Sequence, residues 1–410
     1  VRGGACAGAA LAGLVALLVV SPASTGGPSA RPATATVGVT RTTVTVAGLV
    51  GGDPASTGAE IGAQARFARA NRRGGVAGRA VIYAGNATEA SAAGATAFAV
   101  VPAVSETLDT GALARLGIPF VGSASTTGWD ANRFGFGFVG AQASLRTNVV
   151  SPAWGARLRS LLGRAQGSTV ALAVDASPLG DAREAQARAS LRAAGFRVVA
   201  VVRVPAPPSP LPGLTPSAAR IATAAPAVVL LLTSPPATVG LARLLAVVSF
   251  TGTVAADASM YQPTVPSVAE GLTVLTPDAP LEQPTAATRR LAADVEAFAP
   301  GTKVTSGIVA GYWSADLFLR MLASTGGRLT RARFLSVARR FEYRVPSTIG
   351  PTEFPAAHTL PIPCGALVQS DGTEYIVVEP YACGKPIVVK ARKRQAATTA
   401  PRASAQTPTR

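Results

Sequence analysis

The sequence predicts an α/β protein of two doubly wound lobes, each a parallel sheet with helices on both faces. Three observations predict it. Short β-branched runs alternate with Ala/Arg/Leu stretches at helical spacing over most of the 410 residues. Several runs, such as residues 227–233 (AVVLLLT), are apolar at every position, as in strands buried on both sheet faces. The alternation occurs twice, with a join near residue 150. Two lobes are therefore expected, with a cleft at the carboxyl ends of their strands, where ligands bind.

The elements follow in order. Residues 43–50 (TVTVAGLV) read as a strand because β-branched and apolar residues fill them and the turn-forming GGDP follows. Residues 57–70 read as an Ala-rich helix, ending in a basic last turn and the stop signal Gly74-Gly75. Strands are expected at 80–83, 97–101 and 118–122 (IPFVG), with a helix over 107–116 closed by Gly117. Past the join, strands are expected at 168–175 (STVALAVD), 197–204 (RVVAVVRV) and 227–233, and helices at 181–194, 216–225 and 238–249.

The ends of the chain differ from its middle. Residues 1–23 read as a secretory signal: Arg2 as the basic start, an apolar stretch over 9–20 (AALAGLVALLVV), and small residues at Ser21 and Ala23. An uncleaved N-terminal anchor is the alternative. Export places the protein outside the cytoplasm, at the cell surface, in a periplasm or secreted. Residues 24–42 read as a Pro/Gly/Ser/Thr-rich linker, and 389–410 as a basic disordered tail.

Composition narrows the function classes. At 48% hydrophobic residues the chain can bury a core, so global disorder is excluded. The net charge of +17 invites a nucleic-acid reading, but every acid lies between Asp53 and Glu379. Three bases precede that span and six follow Val389; without them the middle carries +8, scattered as arginines over helix faces. Such a surface is a solvated one, and no partner nucleic acid is expected.

Catalytic signatures are sparse. His358 is the only histidine and stands alone in a Pro/Thr loop, which gives a Ser-His-Asp triad no positioned base, and four metal ligands cannot be assembled around it. No G-x-S-x-G or phosphate loop occurs. Gly135, Gly137 and Gly140 form a G-x-G-x-x-G, but the alternation in FGFGFVG suggests an extended segment. No metal and no cofactor are expected. Asp316 reads as a surface or cleft-rim charge. Cys364 and Cys383, flanked by turn formers, are expected to pair as a disulfide in an exported chain, stabilising it by roughly 3 kcal/mol.

Four kinds of segment occur in a fixed order: a helix ending NRRGGVAGR (residues 71–79), the strand-loop units AFAVVPAVSET and GIPFVGSASTTG, the later unit STVALAVDASPLG, and a helix with Tyr312, Trp313 and Asp316. In this order, over about residues 43–388, they resemble the periplasmic-binding-protein type I superfamily, in particular the branched-chain amino acid type of ABC-transporter solute receptor. NRRGGVAGR is similar to the family's Asn-x-x-Gly-Gly-x-x-Gly-Arg, and the helix with Tyr312 to its late first-lobe helix. The resemblance implies two lobes joined by a three-crossover hinge, with 43–147 and 278–342 in the first lobe and 148–277 and 343–388 in the second. It also implies no enzymatic activity. The implied role is capture of a small polar ligand, an amino acid or similar, for delivery to an ABC permease in the membrane. The alternative is a sensing or adaptor module of the same fold.

Ligand contacts are implied at strand ends and loops. Ser105, ahead of the 107–116 helix, pairs a hydroxyl with helix N–H groups suited to a carboxylate, or is a plain N-cap. Ser123, Ser125 and Thr126 follow the IPFVG strand. Asp257 matches a position where relatives place an acid for an ammonium group, while Ser56, Thr57 and Ser234 match further ligand-side loops. Tyr261 and Tyr312 are core or rim aromatics with the option of covering an apolar side chain. The sequence departs from the family at Thr57 and Leu179, where an aromatic is common, and over 86–96, where a first-lobe helix is expected to be truncated or lost.

Overall fold

In the computed structural model, which describes residues 36–389 except 106–107, 143, 145–147, 164–165 and 206–210, the alternating pattern resolves into two large sheets. The expected signal, residues 24–35 of the linker and residues 390–410 of the tail lie outside the described residues.

The first lobe opens with β1 (Thr43–Val50), α1 (Ala59–Arg72), β2 (Ala80–Asn86), α2 (Ala90–Thr96) and β3 (Ala99–Val104). It continues with α3 (Thr110–Arg115), β4 (Phe120–Gly122), β5 (Gly135–Gly137) and the short β6 (Val149–Val150). Strands β2-β1-β3-β4-β5 lie parallel in that order. The helix expected to be truncated or lost survives as α2, seven residues long. FGFGFVG supplies β5, an extended segment as its alternation indicates.

The second lobe holds α4 (Ala153–Leu161), β7 (Thr169–Asp175), α5 (Pro178–Ala193), β8 (Arg197–Val204), α6 (Leu211–Thr223), β9 (Val228–Leu232), α7 (Pro235–Val247), β10 (Thr253–Ala256) and β11 (Thr273–Thr276). The chain then returns to the first lobe as α8 (Ala286–Phe298), α9 (Ser306–Thr325), α10 (Arg331–Ala338) and the hairpin β12 (Glu342–Val345) and β13 (Ile349–Glu353). It crosses once more into β14 (Cys364–Ser370) and β15 (Tyr375–Cys383) and ends in β16 (Ile387–Val388). The second sheet runs β15-β14-β11-β10-β9-β7-β8, and β14 alone runs against the direction of the others. Cys364 and Cys383 stand opposite each other across β14 and β15 and form a disulfide.

Three crossings thus join the lobes, and β16 pairs back onto β6 at the first of them. The Ser151 hydroxyl donates to the Ile362 carbonyl at 2.9 Å, tying the first crossing to the third. Residues 343–362, grouped with the second lobe from the sequence, pack in the first. Tyr343, Val345, Ile349, Phe354 and Ile362 share a core with Val46, Phe98 and Phe318. The reason is the inward alternation of β12, whose Tyr343 and Val345 are buried while Glu342 and Arg344 face water.

Asp316 is not a rim charge. It is 5% exposed, because α9 is enclosed on nearly every side, and it receives Arg66 of α1 at 2.8 Å and the Tyr343 hydroxyl at 3.0 Å. Tyr312 is core, donating to Asp294 at 2.7 Å.

His358 sits in an aromatic nest of the first lobe, its ring 5.0 Å from Phe354 and 5.3 Å from Phe136. Neither ring nitrogen makes a well-formed hydrogen bond among the described residues. Burial pushes its pKa down to about 4, the nearby Gly135 backbone pulls it back in part, and Arg339 and Arg133 act in the direction of burial. The unfolded chain takes up this proton near the ordinary value of about 6.5. The stability that depends on a neutral ring is therefore complete above pH 6.5 and lost as pH falls toward 4, about 3 kcal/mol in all. Urea titrations across this window should show the decline, and His358→Leu should remove that part of it.

Candidate functional site

The carboxyl ends of strands from both sheets face one another across a cavity of about 240 Å³. Val104 and Ser105 come from the end of β3, Ser123 and Ser125 from the segment after β4. Opposite them stand Leu232 from β9, Asp257 from the segment after β10, and Leu275 and Thr276 from β11. Parallel strands all expose their carboxyl ends on the same side of a sheet, so the topology gathers these residues at one opening.

Five of the eight residues expected from the sequence line the cavity: Ser56, Ser105, Ser123, Ser125 and Asp257. Ser56 is held by a turn in which Asp53 accepts its backbone N–H at 3.0 Å and its hydroxyl at 2.6 Å. Ser105 is not the N-cap of α3. That helix starts later, at Thr110, and Asp109 caps it by accepting from the Ala112 N–H at 2.8 Å.

Thr57, Thr126 and Ser234 fall outside the cavity lining. The Thr57 hydroxyl turns back to the Asp53 carbonyl at 3.1 Å. Thr126 precedes a short 3₁₀ turn over Thr127–Trp129. Ser234 caps α7 by position, and its N–H donates to Asp175 at 3.2 Å.

The sequence reading missed Arg183, Trp154, Phe138, Asp278 and Ser306, all in the cavity wall. The aromatic surface absent at Thr57 and Leu179 is supplied by Phe138, Trp154 and Tyr261. The Tyr261 hydroxyl donates to Glu282 at 2.6 Å and accepts from the Leu281 N–H at 2.9 Å, which fixes the ring beside the second crossing.

Charge is unevenly distributed over these walls. Asp53, Asp257 and Asp278 face Arg183, a formal excess of two negative charges in a chain of net charge +17. Asp257 lies 3.4 Å from Arg183 and accepts from the Ser259 N–H and hydroxyl at 3.0 and 2.6 Å. Behind it, burial raises the pKa of Asp175, with the Ser234 N–H and Arg183 pulling it back. Asp278 is pushed up to about 7 by burial, against a smaller opposing pull from its own backbone N–H.

Among the described residues no cluster of His, Cys, Asp and Glu is arranged to hold a metal ion, and no helix is long and apolar enough to cross a membrane. His358 does not line the cavity.

A family model described as "Periplasmic binding protein" matches residues 34–374. No curated protein matches the sequence. The fold is similar to several solved structures. One is a fatty acid ABC transporter substrate-binding protein from Thermomonospora curvata, with a TM-score of 0.66 at 15% identity, covering 85% of this chain and 95% of that one. Another is an ABC transporter solute binding protein from R. palustris in complex with 4-hydroxybenzoate, with a TM-score of 0.64 at 17% identity, covering 84% and 98%. A third is described as a possible leucine/isoleucine/valine-binding protein from Rhodopirellula baltica SH 1, with a TM-score of 0.62 at 12% identity, covering 82% and 96%.

Proposed function

The chain belongs to the periplasmic binding protein family, and on that premise we propose that it is the extracytoplasmic solute receptor of an ABC importer. It captures a small molecule between its lobes and presents it to a membrane permease. The observation that carries this reading is the cavity itself: its walls come from both lobes, at the strand ends, around three crossings that serve as a hinge. A ligand touching both walls stabilises the closed arrangement by its differential contacts with it.

The wall chemistry supports an amphipathic ligand. Phe138, Trp154 and Leu232 offer apolar surface, while Ser56, Ser123, Ser125 and Asp257 offer hydroxyls and charge for a polar head. Amino acids and their analogues are the first class to try, since one similar fold is described as a possible leucine/isoleucine/valine-binding protein, and aromatic acids come next, since another holds 4-hydroxybenzoate.

Mass spectrometry of small molecules released on denaturing freshly purified protein, paired with thermal melts against amino acids, amines, amides and carboxylates, tests the reading. A matching ligand at about a hundredfold excess over its Kd should add about 2.7 kcal/mol of stability. A well-folded protein that releases nothing and whose melt no compound moves would count against capture.

A further inference from the structure

We propose that the cavity is selective for an amine: a compact apolar body bearing a protonated amino group, seated against the Asp278 carboxylate and the Thr276 hydroxyl, with no ligand carboxylate required. This rests on reading the cleft as a capture site.

Asp257, the acid suggested by the sequence, has its oxygens engaged by Ser259 and Arg183. Asp53 is engaged by Ser56. Asp278 differs. It is half-buried in the cavity wall, and among the described residues no cation and no side-chain donor reaches it. A carboxylate taken out of water without a counter-ion is unfavourable, and an ammonium group arriving there offsets that cost.

Two residues earlier, Thr276 also lines the cavity. It is 1% exposed, and its hydroxyl has no hydrogen-bond partner among the described residues. An ammonium group has three N–H donors and no acceptor, so it can satisfy the carboxylate and the hydroxyl together. A carboxylate ligand would enter a wall whose acids outnumber its one arginine, already beside Asp257. The apolar body has Trp154, Leu275 and Leu281 to rest on.

The pH response follows from the surroundings. The groups facing Asp278 are the phenols of Tyr261 and Tyr381, both raised by burial and neutral, with Glu282 behind the first and Arg344 near the second. Asp257 and Arg183 share the same cavity. With its pKa pushed up to about 7, Asp278 loses its charge as pH falls below 7, and amine affinity should fall with it.

Three probes with similar branched bodies separate the possibilities: isopentylamine, leucine and isocaproate, titrated by calorimetry into the full chain. Isopentylamine should bind tightest and weaken below pH 7. Asp278→Asn should weaken it by at least about tenfold and flatten that pH profile, and Thr276→Val should weaken it by roughly tenfold without flattening it. Tighter binding of isocaproate or leucine overturns the amine assignment and leaves the receptor reading standing. So does an unchanged affinity in Asp278→Asn. Binding of none of the three also overturns it, and the receptor reading is then judged on the molecule released at denaturation.

Discussion

Gly311→Leu is expected to lower stability by about 3 kcal/mol or more, read as a fall in the urea midpoint of the full chain. The cause is the closeness of α1 and α9. A Cβ on Gly311 would overlap the Ala59 carbonyl oxygen, and one on Gly62 would overlap the Ile308 carbonyl oxygen. The two helices therefore touch backbone to backbone, each supplying the glycine that the other needs. A leucine there forces them apart, and the first-lobe core around Phe67 and Phe318 must open with them. Gly213→Ala is the control, because a Cβ there meets nothing within 4 Å. It should be neutral or slightly stabilising. A change in Gly311→Leu no larger than that in Gly213→Ala would show that the contact between the two helices does not set the cost, since both substitutions raise helix propensity.

The same crossing positions the site. A Cβ on Gly307, at the start of α9, would overlap the Thr57 carbonyl, in the turn that carries Asp53 and Ser56 into the cavity. The turn depends on helix packing far along the chain, which explains what the sequence could and could not reveal. Wholly apolar runs such as VVLLL announced buried strands, because they are too short for a buried helix and rich in β-branched residues. The carboxyl end of IPFVG pointed to Ser123 and Ser125, the start of the following helix to Ser105 and the family resemblance to Asp257, and all four line the cavity. Which hydroxyl of a loop turns inward was not legible: Ser56 faces the cavity while Thr57, its neighbour, bonds to its own turn.

Arg183 and Asp278 were missed for a related reason. One lies on the flank of α5 and the other in the second crossing, so their places depend on how two lobes meet. No local periodicity encodes that. Asp316 was misread because one acid in a helix ordinarily faces water, and only the arrival of α1 and β12 encloses it. Helix starts drifted by a few residues where caps decided them, as when Asp109 and not Ser105 caps α3.

Asp316→Ala is expected to cost about 3–5 kcal/mol, the usual loss when one member of a buried ion pair is removed. The carboxylate joins three elements. One oxygen takes Arg66 of α1 at 2.8 Å; the other takes Arg320 of α9 at 2.9 Å and the Tyr343 hydroxyl of β12 at 3.0 Å. Without it, Arg66, its side chain only 18% exposed, keeps a charge with no partner, and the fully buried Tyr343 keeps an unpaired hydroxyl. Arg320 is more exposed and finds water, so its share of the loss is small. Asp316→Leu combined with Arg66→Met removes both charges together and should recover much of the stability lost in Asp316→Ala, because apolar replacements of a buried pair avoid its desolvation cost. Urea unfolding of the single and double variants measures the difference. A double variant no more stable than Asp316→Ala would show that Tyr343, and not the stranded arginine, carries the penalty, and Tyr343→Phe in the Asp316→Ala background should then restore it.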